Sequence, residues 1–181
     1  MRELKLETLK EGFPAISKSV GAYLAEGGAY CLEAQGHASG VLLELSGAFE
    51  EKVKVLWPEQ VNNQIIRAWA DSQEATEFGA IAVAILILQS LTNYTVIERS
   101  FKGTGFDYWL GVGEYDENRL PFEQRKARLE VSGIWRESKS NTIDARIELK
   151  KQQVKKSDDL NLPVLIIVVE FKTPKSKIFR Q

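Results

Sequence analysis

Ala127-Arg128-Leu129-Glu130-Val131-Ser132-Gly133-Ile134 is the stretch on which the fold of this chain turns. Its aliphatic and β-branched residues predict a strand from Arg128 to Trp135 that packs on at least one face. A carboxylate inside such a strand must be paired, hydrated or metal-bound to offset its desolvation. Side chains two apart share a face, so Arg128, Glu130 and Ser132 project together. Upstream, Gly105-Phe106-Asp107-Tyr108-Trp109-Leu110-Gly111 predicts another strand, Phe106 to Gly111, that also carries an acid. An acid on the adjacent strand can meet Glu130 across the ladder and form a small oxygen-rich pocket. Each acid alone reads more readily as a half-exposed residue satisfied by Arg128, Lys102 or water. It is their joint setting that argues for a site.

Working outward, the periodicity predicts an amphipathic helix over 15–34, with a break allowed near Gly27-Gly28. A hairpin of strands 41–45 and 52–57 follows, then a helix over 59–70. Asp71-Ser72-Gln73-Glu74 reads as a capping box opening a longer helix to about Leu91. From there the order is helix, strand 94–99, strand 106–111, strand 128–135, helix 142–155, strand 164–171. Asn141-Thr142-Ile143-Asp144 caps the start of the later helix. Val164-Leu165-Ile166-Ile167-Val168-Val169 is apolar without alternation, as expected for a strand covered on both faces in a mixed sheet.

Composition narrows the functional classes. The 181 residues suit one well-cored domain. A net charge of −1 does not announce a nucleic-acid binder, although Arg146, Lys150, Lys151, Lys155, Lys156, Lys172, Lys175, Lys177 and Arg180 crowd the last third. Lys155, Lys156 and the tail read as solvated surface. A single cysteine, Cys31, has no internal disulfide partner, there is no CxxC spacing, and a reduced, cytoplasmic setting fits. The lone histidine, His37, lies in a glycine-flanked loop and reads as a surface residue rather than a catalyst. Met1-Arg2-Glu3-Leu4-Lys5 has no apolar signal core. The longest apolar run, 78–88, is shorter than the ~20 residues of a membrane span and reads as a buried helix. Lys102-Gly103-Thr104-Gly105 lacks the P-loop pattern and precedes a strand, so it reads as a tight turn.

The element order, with an aspartate on the second strand and a glutamate on the third, resembles the PD-(D/E)xK, or restriction-endonuclease-like, nuclease superfamily. The resemblance covers roughly residues 74–171. It implies an α/β fold, an αβββαβ core with a mixed sheet flanked by helices, within a single domain 1–181. Residues 72–181 would form that core and residues 1–71 an N-terminal helix and hairpin extension. It implies Asp107 and Glu130 as ligands of a divalent metal, magnesium or manganese. The superfamily's lysine two residues after the glutamate is Ser132 here, an uncharged hydroxyl. Lys102, before the Asp107 strand, and Lys150, on the following helix, are the candidate replacements.

Two further groups fit the resemblance. Glu77 reads either as a helical acid near the metal or as a first-turn acid stabilised by the helix dipole. Arg146, Lys150 and Gln153 form one polar stripe that can contact the scissile phosphate, and Arg128 joins the candidate nucleic-acid contacts. Tyr108, Trp109 and Trp135 can stack on bases, although aromatics in strands usually belong to the core. The leading expectation is a magnesium-dependent nuclease acting on DNA, with Ser132 hydrogen-bonding the attacking water. Its rivals are a catalytically inactive binding protein of the same fold and a structural subunit of a defence or mobile-element complex. A homo-oligomer or a protein partner is compatible with each, and no membrane is implied.

Overall fold

In chain order the computed structural model, which describes residues 1–58 and 60–181, runs β1 (Glu3–Lys5), α1 (Lys18–Ala34), β2 (Val41–Gly47), β3 (Glu51–Leu56) and α2 (Asn63–Ala68). It continues with α3 (Ser72–Leu91), β4 (Tyr94–Arg99), β5 (Tyr108–Val112), α4 (Pro121–Gln124) and β6 (Ala127–Ile134). It closes with α5 (Ile143–Val154), β7 (Val164–Glu170) and β8 (Lys175–Arg180). The helix, three strands, helix and strand expected from Glu74 onward are present, with α4 inserted before β6 and β8 added after β7. All eight strands join one mixed sheet in the order β1-β3-β2-β8-β7-β6-β5-β4. The fold is α/β, with helices on both faces.

β7 shows why its sequence does not alternate. Leu165, Ile167 and Val169 pack in the core shared with α1 and α3, whereas Val164, Ile166 and Val168 pack against Ile143, Ile147 and Val154 of α5 on the other face. Every β7 residue is buried. β6 and β7 are parallel and α5 crosses between them, as a parallel pair requires. The Thr142 hydroxyl caps α5 by accepting from Ala145 N–H. Asp71 caps α3, its Oδ1 accepting from the amides of Gln73 and Glu74.

By length and composition α3 is apolar enough to cross a membrane, and 67% of that apolar window is buried inside the protein. It packs between α1 and the β6–β7 face. The approach to β6 is close: a Cβ on Gly133 would lie 2.3 Å from the Thr76 carbonyl oxygen. Gly133→Ala must therefore push α3 off the sheet. A loss of about 1–3 kcal/mol is expected from the overpacking, measured by urea denaturation; an unchanged midpoint would show that the two elements separate freely.

Two expectations need correction. The tail is not solvated surface: Lys175–Arg180 form β8, paired with β7 and β2, with Ser176 and Ile178 buried. Through β8 the hairpin β2–β3 and the segment around β7 become one continuous sheet. The second helix is shorter than expected, Asn63–Ala68, because Asn62 caps it by accepting from Gln64 and Ile65 N–H; the expected start at Glu59 lies outside the described residues. The first helix is kept as expected: α1 passes Gly27-Gly28 unbroken, with Trp69 packed on Gly27.

Candidate active site

β5 and β6 pair at only three positions, Tyr108 with Leu129, Trp109 with Arg128 and Leu110 with Ala127. β6 continues to Ile134 paired with β7 alone. From Glu130 onward its other edge is open, and the amides there need partners from outside the ladder. Asp107 supplies one. Its Oδ2 accepts from Val131 N–H at 2.8 Å, while its own amide donates to the Leu129 carbonyl at 2.8 Å. The aspartate therefore stands at the point where the two strands part, beside Glu130.

Glu130 is 1% exposed. Its Oε1 accepts from Lys150 Nζ at 2.5 Å and from Gln153 Nε2 at 3.0 Å. Gln153 Oε1 in turn accepts from Lys150 at 3.0 Å, and its amide also reaches the Gly105 carbonyl at 3.3 Å. The other oxygen, Oε2, is buried and has no hydrogen-bond donor among the described residues. Burial pushes the Glu130 carboxyl up to about 8; the Asp107 charge adds to the rise and Lys150 opposes it. An acid so placed calls for a proton, a water or a cation on Oε2.

Two cavities meet at these carboxylates. One, of about 500 Å3, is lined by Ser132, Arg146 and Lys150 among others; the second, of about 390 Å3, by Arg99, Phe101 and Lys102 among others. Glu77, Asp107, Glu130 and Gln153 line both and form the shared wall. The stripe Arg146, Lys150 and Gln153 on α5 faces the larger cavity, and Lys150 is the lysine that reaches Glu130. Lys102 does not: it is exposed and lines only the second cavity. Glu77 is exposed on the second turn of α3, at the rim of both. Ser132, 9% exposed, accepts from Arg146 Nη1 at 3.4 Å.

Comparison with family models, with characterised proteins and with solved structures finds no match. What the site can do rests on its own geometry.

Arg128 has a different place from the one expected. It is 4% exposed, and its guanidinium donates to the Leu162 and Val154 carbonyls and to Ser157 Oγ at 2.8, 3.3 and 2.7 Å. It closes the C-terminal end of α5 onto the sheet and cannot reach a nucleic acid, because those donors are spent inside the protein. Tyr108 and Trp109 are likewise core residues, at 1% and 7% exposed. Within the expected cap it is Thr142 that caps α5, and Asn141 Oδ1 accepts from Arg146 Nη2 at 2.6 Å, holding that guanidinium at the cavity wall. The five-residue step from Asn141 to Arg146, across the start of the helix, is the only trace of that contact in the sequence.

The donor set fits a hard cation. Two carboxylates are present, one of them with an oxygen buried without a donor, and among the described residues no group of three or more His, Cys, Asp and Glu gathers to enclose an ion. Magnesium is commonly held in this open way, by one or two carboxylates with water and substrate phosphate completing its shell.

Proposed function

We propose that α3, β4, β5, β6, α5 and β7 form a restriction-endonuclease-like core and that this chain is a magnesium-dependent nuclease hydrolysing the phosphodiester bonds of DNA. The observation that carries this reading is Lys150 Nζ at 2.5 Å from Glu130, whose other carboxylate oxygen is buried without a donor beside Asp107. That lysine from α5 would, in this reading, supply the charge that Ser132, at the motif position, does not carry.

In this reading Asp107 and Glu130 would hold the ion, which when bound would supply positive charge to a phosphate oxygen and lower the pKa of water. Glu77 extends the carboxylate wall toward solvent. Lys150, held by Gln153, offers N–H donors where negative charge grows on the phosphate during displacement. Arg146, clamped by Asn141, binds a neighbouring phosphate oxygen. Ser132 orients Arg146, since its Oγ accepts from that guanidinium, and it keeps an O–H to donate to water.

The rival reading, a binding protein of the same fold without chemistry, draws support from the net charge of −1 and from Lys150, which by itself gives Glu130 a counter-charge. The two part on metal binding. Wild-type protein should bind manganese, seen by electron paramagnetic resonance, and cut single- or double-stranded DNA in magnesium or manganese. Asp107→Asn should lose both. Absence of manganese binding in the wild type would end the nuclease reading, and binding without cleavage of any DNA or RNA would favour the rival.

A further inference from the structure

The second cavity ends on the site's carboxylates, and its outer wall is the loop between β4 and β5. That loop is a built structure. Ser100 and Thr104 hydroxyls pair at 2.6 Å, and Thr104 Oγ1 donates to the Phe101 carbonyl at 2.9 Å. Gly105 adopts φ 89°, and a Cβ there would lie 2.4 Å from the Gln153 carbonyl oxygen, so the loop is seated on α5 beside the residue that bonds Glu130. On this fixed loop Phe101 is 77% exposed, and no described large apolar side chain is more so. Arg99 and Lys102 flank it along the cavity. Arg99 is steadied by donating one N–H to Tyr108 Oη at 2.9 Å, one of the five that a guanidinium carries.

A water-facing aromatic ring between two cations, at the mouth of a groove leading to a phosphate site, is the arrangement that receives an unpaired base. A base inside a duplex is stacked on both faces and offers none to Phe101. We propose that this cavity is a nucleobase subsite: an unpaired base of a single-stranded nucleic acid stacks on Phe101, and Arg99 and Lys102 hold the adjoining backbone. The inference rests on the nuclease reading for the position of the scissile phosphate, and it narrows the substrate to single strands or unpaired ends.

The experiment is fluorescence anisotropy of a labelled single-stranded oligonucleotide, as DNA and as RNA, against a blunt DNA duplex, with the full chain in calcium chloride. The wild type should prefer a single strand to the duplex. Phe101→Ala should weaken single-strand binding about tenfold, the scale of one base–aromatic stack, and leave duplex binding unchanged. Phe101→Trp should keep the affinity and show quenched indole emission on binding. Equal single-strand affinity of Phe101→Ala and wild type, or a wild type that binds the duplex at least as tightly, overturns the subsite. Cleavage in magnesium is measured separately. Phe101-dependent binding without cleavage leaves the subsite standing and removes the enzyme. Cleavage indifferent to Phe101 does the reverse.

Discussion

Glu130→Gln is expected to abolish metal-dependent cleavage while making the protein more stable at alkaline pH. The two effects have one cause. In the wild type the carboxyl sits 1% exposed, with its pKa pushed from 4.5 to about 8. The folded state therefore holds a proton that the unfolded chain has already lost between those values, and stability falls as pH rises through that window. An amide has no such slope. Its oxygen can accept from Lys150 and Gln153 as Glu130 Oε1 does, and its NH2 can donate to Asp107 from the place of the orphaned Oε2. The difference in melting temperature, variant minus wild type, should be small at pH 5 and positive by pH 9. Added manganese should reverse the order, since an ion bound only by the folded wild type stabilises it by about 2.7 kcal/mol at a hundred times Kd. A difference that stays flat or turns negative with rising pH would sink the account of Glu130 as a carboxylate gathered for a cation.

Lys150→Met is expected to lower the single-turnover cleavage rate by about 10²- to 10³-fold, the usual loss when one charge-stabilising donor is removed from a transition state. Lys150 opposes the raised pKa of Glu130. Its loss must drive that pKa higher still and extend the pH range over which an ionised Glu130 is unfavourable. Stability should then drop at pH 9, where the acid has lost its cation, and change little at pH 5, where the acid is protonated. Rates are to be measured at pH 6.5, on protein shown to be folded. A variant that cuts at the wild-type rate there but melts lower at pH 9 would make Lys150 a structural counter-ion and nothing more.

Much of this arrangement was legible before any coordinates. Asp71 and Thr142 marked two helix starts that the structure keeps, and the unbroken apolar run of β7 announced a strand covered on both faces. Asp107 and Glu130 stood out because acids in apolar strands are costly. Arg146, Lys150 and Gln153 shared a helix face because of their spacing alone. The errors have physical reasons too. Arg128 shares strand parity with Glu130, but parity gives a face and not a depth, and the turn after α5 folds over it. Lys175–Arg180 was read by its charge, whereas the alternation of Ser176 and Ile178 with charged neighbours is a strand signal that β2 and β7 complete. Asn141 belongs to the cavity wall only because Arg146 curls back across the helix start to meet it.

The sequence by itself determined most of the elements, their order and the identity of the charged groups, since periodicity, caps and desolvation cost are local properties of the chain. Only the tertiary structure decided which of the two candidate lysines meets Glu130. Lys102 is nearer Asp107 in sequence, but the crossover of α5 between β6 and β7 lays Lys150 over Glu130 and leaves Lys102 in solvent. The parting of β5 from β6 after Leu129 was equally unreadable. That parting opens the edge of β6, sends Asp107 to satisfy Val131, and leaves Glu130 Oε2 buried without a donor, because a strand's register and the place where its pairing stops are set by what the rest of the chain packs against it.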